Sequence, residues 1–132
     1  MSLARFINMQ TVSDARGDLN VMEAQKNVPF DIKRVYCLTN MNDEARGFHA
    51  HKALRQVAVC LRGSCDFLLD DGTARETITL DAPTQGLVIN GMIWREMRNF
   101  SDGCVIMVLA DAHYDEDDYI RDYDAFKALA QT

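Results

Sequence analysis

Two of the chain's three histidines, His49 and His51, stand one residue apart inside RGFHAHKALRQVAVCLRG, residues 46–63. On an extended strand, residues i and i+2 project to the same side, so the two imidazoles would face one volume. Such a pair has two chemical uses. Neutral imidazole offers a lone pair to a metal, and its titration near neutral pH also suits it to carry protons in either direction. Which use applies depends on the elements that hold the pair and on the groups those elements bring beside it.

The chain reads mostly as strands and turns. KRVYCLT (33–39) is β-branched and aromatic, ARETITL (74–80) alternates with a period of two, and TQGLVIN (84–90) follows Pro83. CVIMVLA (104–110) is apolar on both faces, as a buried strand should be. QVAVCL (56–61) and SCDFLLD (64–70) flank Arg62-Gly63, and the second runs into Asp71-Gly72, a strong hairpin signal. We therefore expect an all-β meander closing into a sandwich or small barrel. A two-residue turn at Arg62-Gly63 would set Cys60 opposite Cys65. Only DDYIRDYDAFKALA (117–130) reads as a helix, on an imperfect stripe of Ile120, Tyr123, Phe126, Ala128 and Ala130.

The spacing beyond the histidines is more informative. His49-x-His51, Gln56 and Gly63 follow the order of the first cupin motif, with Gln56 where a carboxylate usually stands. WREMRN (94–99) resembles the end of the second, with Arg95 in the place of the third histidine. A cupin metal centre takes three imidazoles and a carboxylate. A guanidinium has no lone pair and would put a positive charge where the cation belongs, while Gln56 removes the balancing negative charge. We expect a metal-free histidine site.

Together with ITLDAP, GLVI, WREM, the RG of DARGDL (14–19), KRVY (33–36) and YDEDDYIRDYDAFK, this stretch resembles the dTDP-4-keto-6-deoxyglucose 3,4-ketoisomerases, a small sugar-isomerase branch of the cupins. The likeness spans nearly the whole chain. It implies one cupin domain over residues 1–132, a double-stranded β-helix or jelly-roll barrel with a short C-terminal helix. It also implies a homodimer, without metal or cofactor, that shifts a ketone from C4 to C3 of a dTDP-linked deoxysugar in deoxyaminosugar and polysaccharide biosynthesis. Moving a carbonyl to the next carbon needs C3 deprotonation, an enediol and protonation at C4, work for acid/base groups and for donors near the anionic oxygens. On this reading His51 is the principal base, His49 its partner or the carrier between oxygens, and Tyr36 a hydrogen-bond donor. Arg16 would bind or polarise the sugar and Arg95 would orient its C4 face. Arg46 is the first candidate for the diphosphate, with Arg34 behind it, and Gln56 satisfies neighbouring polar groups. Arg95 stands where many members carry histidine, and the expected product is the gluco-configured 3-keto sugar. His113 is expected in a solvated loop without chemistry. A silent sugar-nucleotide-binding cupin, a metal-dependent cupin and a dTDP-sugar 3,5-epimerase are the competing readings.

Composition narrows the partners. A chain of 132 residues has length for one ordinary core. No apolar run approaches the roughly 18 residues of a membrane helix, and MSLARFINMQ lacks the pattern of a secretory signal. A cytoplasmic protein is expected, with Cys37, Cys60, Cys65 and Cys104 as reduced thiols. The net charge of −6 argues against nucleic acid. Residues 111–124 hold seven of the twenty acids and one of the fourteen bases, which leaves thirteen of each elsewhere. That acidic segment would repel a diphosphate, so it is expected on the outer surface or against a partner subunit, packing Tyr119, Tyr123 and Phe126.

Overall fold

The structure is a computed structural model and describes residues 2–132. Its strands are β1 (Arg5–Asn8), β2 (Gln10–Asp14), β3 (Gly17–Val21), β4 (Arg34–Leu38), β5 (Arg46–His51), β6 (Gln56–Arg62), β7 (Cys65–Asp70) and β8 (Arg75–Leu80). They continue with β9 (Gln85–Ile89), β10 (Trp94–Arg98), β11 (Val105–Ala110) and the short β12 (Tyr119–Ile120), ahead of one helix, α1 (Tyr123–Ala130). Two five-stranded antiparallel sheets, ordered β1-β9-β6-β11-β4 and β12-β5-β10-β7-β8, face each other. This is the expected jelly roll.

Side-chain alternation explains why its central strands are so apolar. Ala58 and Cys60 on β6, with Ile106 and Val108 on β11, meet Phe67, Leu69, Leu80 and Met97 of the second sheet in the main core. Their neighbours Val57, Val59 and Leu109 turn the other way and are covered by Met9, Val28 and Phe30. Both faces of β6 and β11 are thus buried. The second sheet's outer face is covered in part by α1, whose Phe126 is fully buried with Ala50, Trp94 and Ile120. Burying a side chain of that size contributes on the order of 2–3 kcal/mol.

Three local expectations fail for one reason: a non-local backbone partner wins. Arg62-Gly63 does not close a hairpin, because β6 and β7 lie in different sheets. The chain crosses between them at Gly63, whose φ of +77° suits glycine and where a Cβ would meet Ser101 Oγ at 2.2 Å. Ser64 and Ser101 fasten the crossing, Ser101 donating its N–H to the Ser64 carbonyl at 3.0 Å and its hydroxyl oxygen accepting from Ser64 N–H at 2.9 Å. Cys60 therefore opposes Ile106 and Cys65 opposes Leu80, and both are buried free thiols. The simple meander gives way to crossed connections, although Asp71-Gly72 does join a hairpin, β7 to β8.

The helix expected over 117–130 begins only at Tyr123, after Asp122 caps it by accepting from Ala125 N–H at 2.9 Å. Residues 119–120 pair instead with β5, Tyr119 opposite His51 and Ile120 opposite Ala50. The acidic segment is therefore not confined to the outside: it forms a strap along the histidine strand.

Candidate active site

β5 carries the histidines, and a bulge aims the first of them. His49 opposes Arg95 and Gly47 opposes Glu96, so Phe48 is an extra residue in the ladder. Gly47 and Phe48 take φ of +95° and +55° to absorb it. A Cβ at Gly47 would lie 2.9 Å from the Arg95 carbonyl oxygen and 3.2 Å from Glu96 Cα, so only glycine lets β5 approach β10 here. The bent backbone returns the Gly47 carbonyl to within 3.0 Å of His49 Nδ1.

His51 is anchored from the strap. Its Nδ1 lies 3.1 Å from Asp118 Oδ2. The Asp118 carboxylate also accepts from Ala53 N–H at 2.9 Å and Leu54 N–H at 3.3 Å. Both Nδ1 atoms thus face acceptors, which puts the proton of each neutral ring there and leaves the Nε2 lone pairs free. The rings meet edge to face, with centroids 5.0 Å apart. They differ in access: His49 is partly buried, whereas His51 is 1 % exposed and its Nε2 is buried without a partner among the described residues.

Beneath them lies a fixed cation. Arg95 is buried and donates from Nε and Nη2 to the Ile93 carbonyl, at 3.1 and 2.9 Å, and from Nη1 to Gln56 Oε1 at 2.5 Å. Gln56 passes the polarity on, its Nε2 donating to Tyr36 Oη at 3.0 Å. Because that oxygen accepts from Gln56, the phenol's own hydrogen is free for another group. Burial raises the Tyr36 pKa and keeps the phenol protonated.

Burial, followed by the Arg95 charge, pushes His49 down to about 4. For His51 burial again leads, then Arg95 and His49, against the opposing Asp118 carboxylate, and the result is about 3. Arg95 itself is lowered by burial to about 10 and stays charged at neutral pH. The site therefore holds two neutral imidazoles over a guanidinium. As a donor set it does not fit a divalent cation: two imidazoles, an amide committed to Arg95 and Tyr36, and a resident positive charge.

A cavity of about 260 Å³ opens beside His51, its wall including Arg34, His113, Asp118 and Tyr119. A small hollow of about 20 Å³ sits at Tyr36, His49, Gln56 and Arg95. Tyr119 bridges the two histidines, with ring centroids 5.1 Å from His49 and 4.3 Å from His51. Arg121 stacks on Tyr119 at 4.1 Å and is held by both oxygens of Glu116 at 2.8 Å.

Of the residues selected from the sequence, His49, His51, Tyr36, Gln56 and Arg95 come together. Arg34 joins them at the cavity wall, its guanidinium 4.7 Å from the Tyr36 ring. Arg46 does not: it is exposed in a separate dip with Asn42 and Glu44. Arg16 is at the tip of the β2–β3 hairpin, 91 % exposed and paired with Asp14 at 2.7 Å. Asp118, Tyr119 and His113 were not selected, although all three line the cavity. For Asp118 and Tyr119 the one signal was YDEDDYIRDYDAFK itself, where local periodicity predicts a helix over 117–130, and His113 was expected in a solvated loop.

Comparison with known proteins agrees with this architecture. Residues 2–131 match the family described as "FdtA: WxcM-like, C-terminal". A TDP-4-oxo-6-deoxy-alpha-D-glucose-3,4-oxoisomerase of Aneurinibacillus thermoaerophilus is 53% identical over 124 residues, 93% of this chain and 89% of the relative. QdtA, a sugar 3,4-ketoisomerase from Thermoanaerobacterium thermosaccharolyticum solved in complex with TDP, superimposes with a TM-score of 0.95 at 43% identity, covering 97% of this chain and 94% of that one. The WlaRB TDP-quinovose 3,4-ketoisomerase from Campylobacter jejuni does so with a TM-score of 0.91 at 44% identity, covering 97% and 99%. The paired imidazoles thus sit on a scaffold whose relatives are sugar 3,4-ketoisomerases, and the chain belongs to the FdtA/WxcM-like family.

Proposed function

We propose that the protein moves the ketone of a TDP-linked 4-keto-6-deoxyglucose from C4 to C3 through an enediol. The observation that carries this reading is the pair of neutral imidazoles, each with Nδ1 committed to an acceptor, over the buried Arg95. One imidazole takes the C3 proton and the C–H electrons form the C3=C4 bond, leaving negative charge on O4 beside Tyr36. The other moves the O3 proton to O4, and the first then returns a proton to C4. Hydrogen moves from C3 to C4 and from O3 to O4, so atoms and electrons balance without a cofactor.

The resemblance alone assigns the carbon to His51. The partial exposure of His49 and the buried, unpartnered Nε2 of His51, which a substrate hydroxyl would satisfy, support the reverse assignment, with His49 acting at carbon and His51 at the oxygens. Arg34 suits the nucleotide side, and the gluco-configured product is retained on the strength of Arg95.

The functional unit is proposed to be a homodimer. The β2–β3 hairpin pairs with neither large sheet and leaves Val12 and Leu19 more than half exposed. Arg16, at its tip, could contact a sugar only where a second copy presents it to the cavity. A cytoplasmic location suits the four free cysteines. Among the described residues no helix is long and apolar enough to cross a membrane.

Incubation with TDP-4-keto-6-deoxyglucose in deuterated water, followed by NMR, tests the activity. The expected result is a 3-keto product of gluco configuration deuterated at C4. Binding without turnover would favour a silent sugar-nucleotide-binding protein, and inversion at C3 or C5 an epimerase.

A further inference from the structure

The strap contributes a carboxylate that the proton-transfer scheme leaves without a task. We infer that Asp118 is a positioning residue that fixes the tautomer and orientation of His51, keeping the buried Nε2 of that ring as a proton acceptor. The inference rests on the ketoisomerase reading only for its kinetic arm.

Its geometry is that of a clamp. Ala53 N–H and Leu54 N–H hold the carboxylate from the segment that follows His51, at 2.9 and 3.3 Å, while Lys52 N–H donates to the Asp118 carbonyl at 2.9 Å. With its oxygens so placed, the carboxylate meets His51 Nδ1 at 3.1 Å. An ionised carboxylate can only accept, so it requires hydrogen on Nδ1 and leaves Nε2 bare. That Nε2 is buried in a residue lining the cavity and has no partner among the described residues, an arrangement that an incoming hydroxyl would complete. A carboxamide at position 118 keeps the contact with Ala53 N–H through its oxygen and gives up only the longer one to Leu54 N–H, which shares its oxygen with His51. It could also donate to Nδ1 from its nitrogen, which would move the ring hydrogen to Nε2 and leave the shape intact.

The test is Asp118→Asn, compared with wild type by ¹⁵N NMR of the histidine rings and by steady-state kinetics. We expect His51 to change from the Nδ1–H to the Nε2–H tautomer, kcat to fall at least tenfold, and KM and thermal stability to stay near wild type. A variant with the wild-type tautomer and kcat would overturn the assignment. So would a loss confined to KM or stability, the pattern of a merely structural aspartate. If wild type itself migrated no ketone, the activity reading would fail while the tautomer change still decided the role of Asp118.

Discussion

The two histidines of β5 are neighbours on one face, yet they are anchored in opposite ways. His49 is held by its own strand, through the carbonyl two residues back, and a glycine bulge makes that contact possible. His51 is held by a side chain 67 residues away on a strap that pairs with the same strand. The first anchor is backbone and can be disturbed only by changing the path of the strand. The second is a removable side chain. Access differs as well, since His51 is 1 % exposed at the cavity wall while His49 stays partly open. Two like residues thereby acquire unlike tasks.

Removing each ring is the harshest way to break that comparison. His49→Asn and His51→Asn should each lower kcat by at least about 100-fold, the usual scale for an acid/base group. Exchange of the C3 hydrogen with deuterated water should separate them. With His49 at carbon, His49→Asn stops the exchange, whereas His51→Asn keeps it while forming little 3-keto sugar. The opposite pattern would restore the carbon to His51, as the sequence had suggested.

A gentler disturbance acts on the bulge. Gly47→Ala places a methyl 2.9 Å from the Arg95 carbonyl oxygen at a φ of +95°, which should cost about 2 kcal/mol of stability. β5 must then shift against β10, moving His49 and Arg95 relative to each other. We expect kcat to fall about tenfold, with the melting temperature lowered in parallel. An unchanged melting temperature would mean that the bulge does not govern the approach of the two strands.

The same contrast marks what could be read from the sequence. The strands around β4, β6, β7, β8, β9 and β11 were legible because alternation and turn residues are local properties, and Asp71-Gly72 closed its hairpin as expected. Tyr36, Gln56 and Arg95 were reached through the spacing of a resemblance, and the fold does join them in one hydrogen-bonded row. Arg62-Gly63 misled because a tight-turn signature says nothing about which sheet the next strand enters. Asp118 and Tyr119 were missed because their surroundings come from β5, and a helix-like stripe over 117–130 concealed a strand pairing of only two residues. Local pattern finds the scaffold and the histidines, while the group that anchors one of them depends on a contact that no spacing records.

The smallest expected effect, barely visible at neutral pH, concerns charge. Both imidazoles are pushed below the ordinary 6.5, His49 to about 4 and His51 to about 3, first by burial and then by Arg95. The neutral ring is the active base, so kcat/KM should stay level as pH falls through 6.5 and decline only as it approaches about 4. Folding follows the same sign. Between those pH values the unfolded chain binds protons that the folded site refuses, so stability is full above about 6.5 and is lost as pH falls toward 4. Thermal melts over that range separate unfolding from titration. Arg95→Gln removes the second cause and leaves the first, so the acid limb should move upward from about 4 without reaching 6.5. A limb that stays in place would assign the low pKa values to burial alone, and Arg95 would then act only through its contacts with Gln56 and the Ile93 carbonyl.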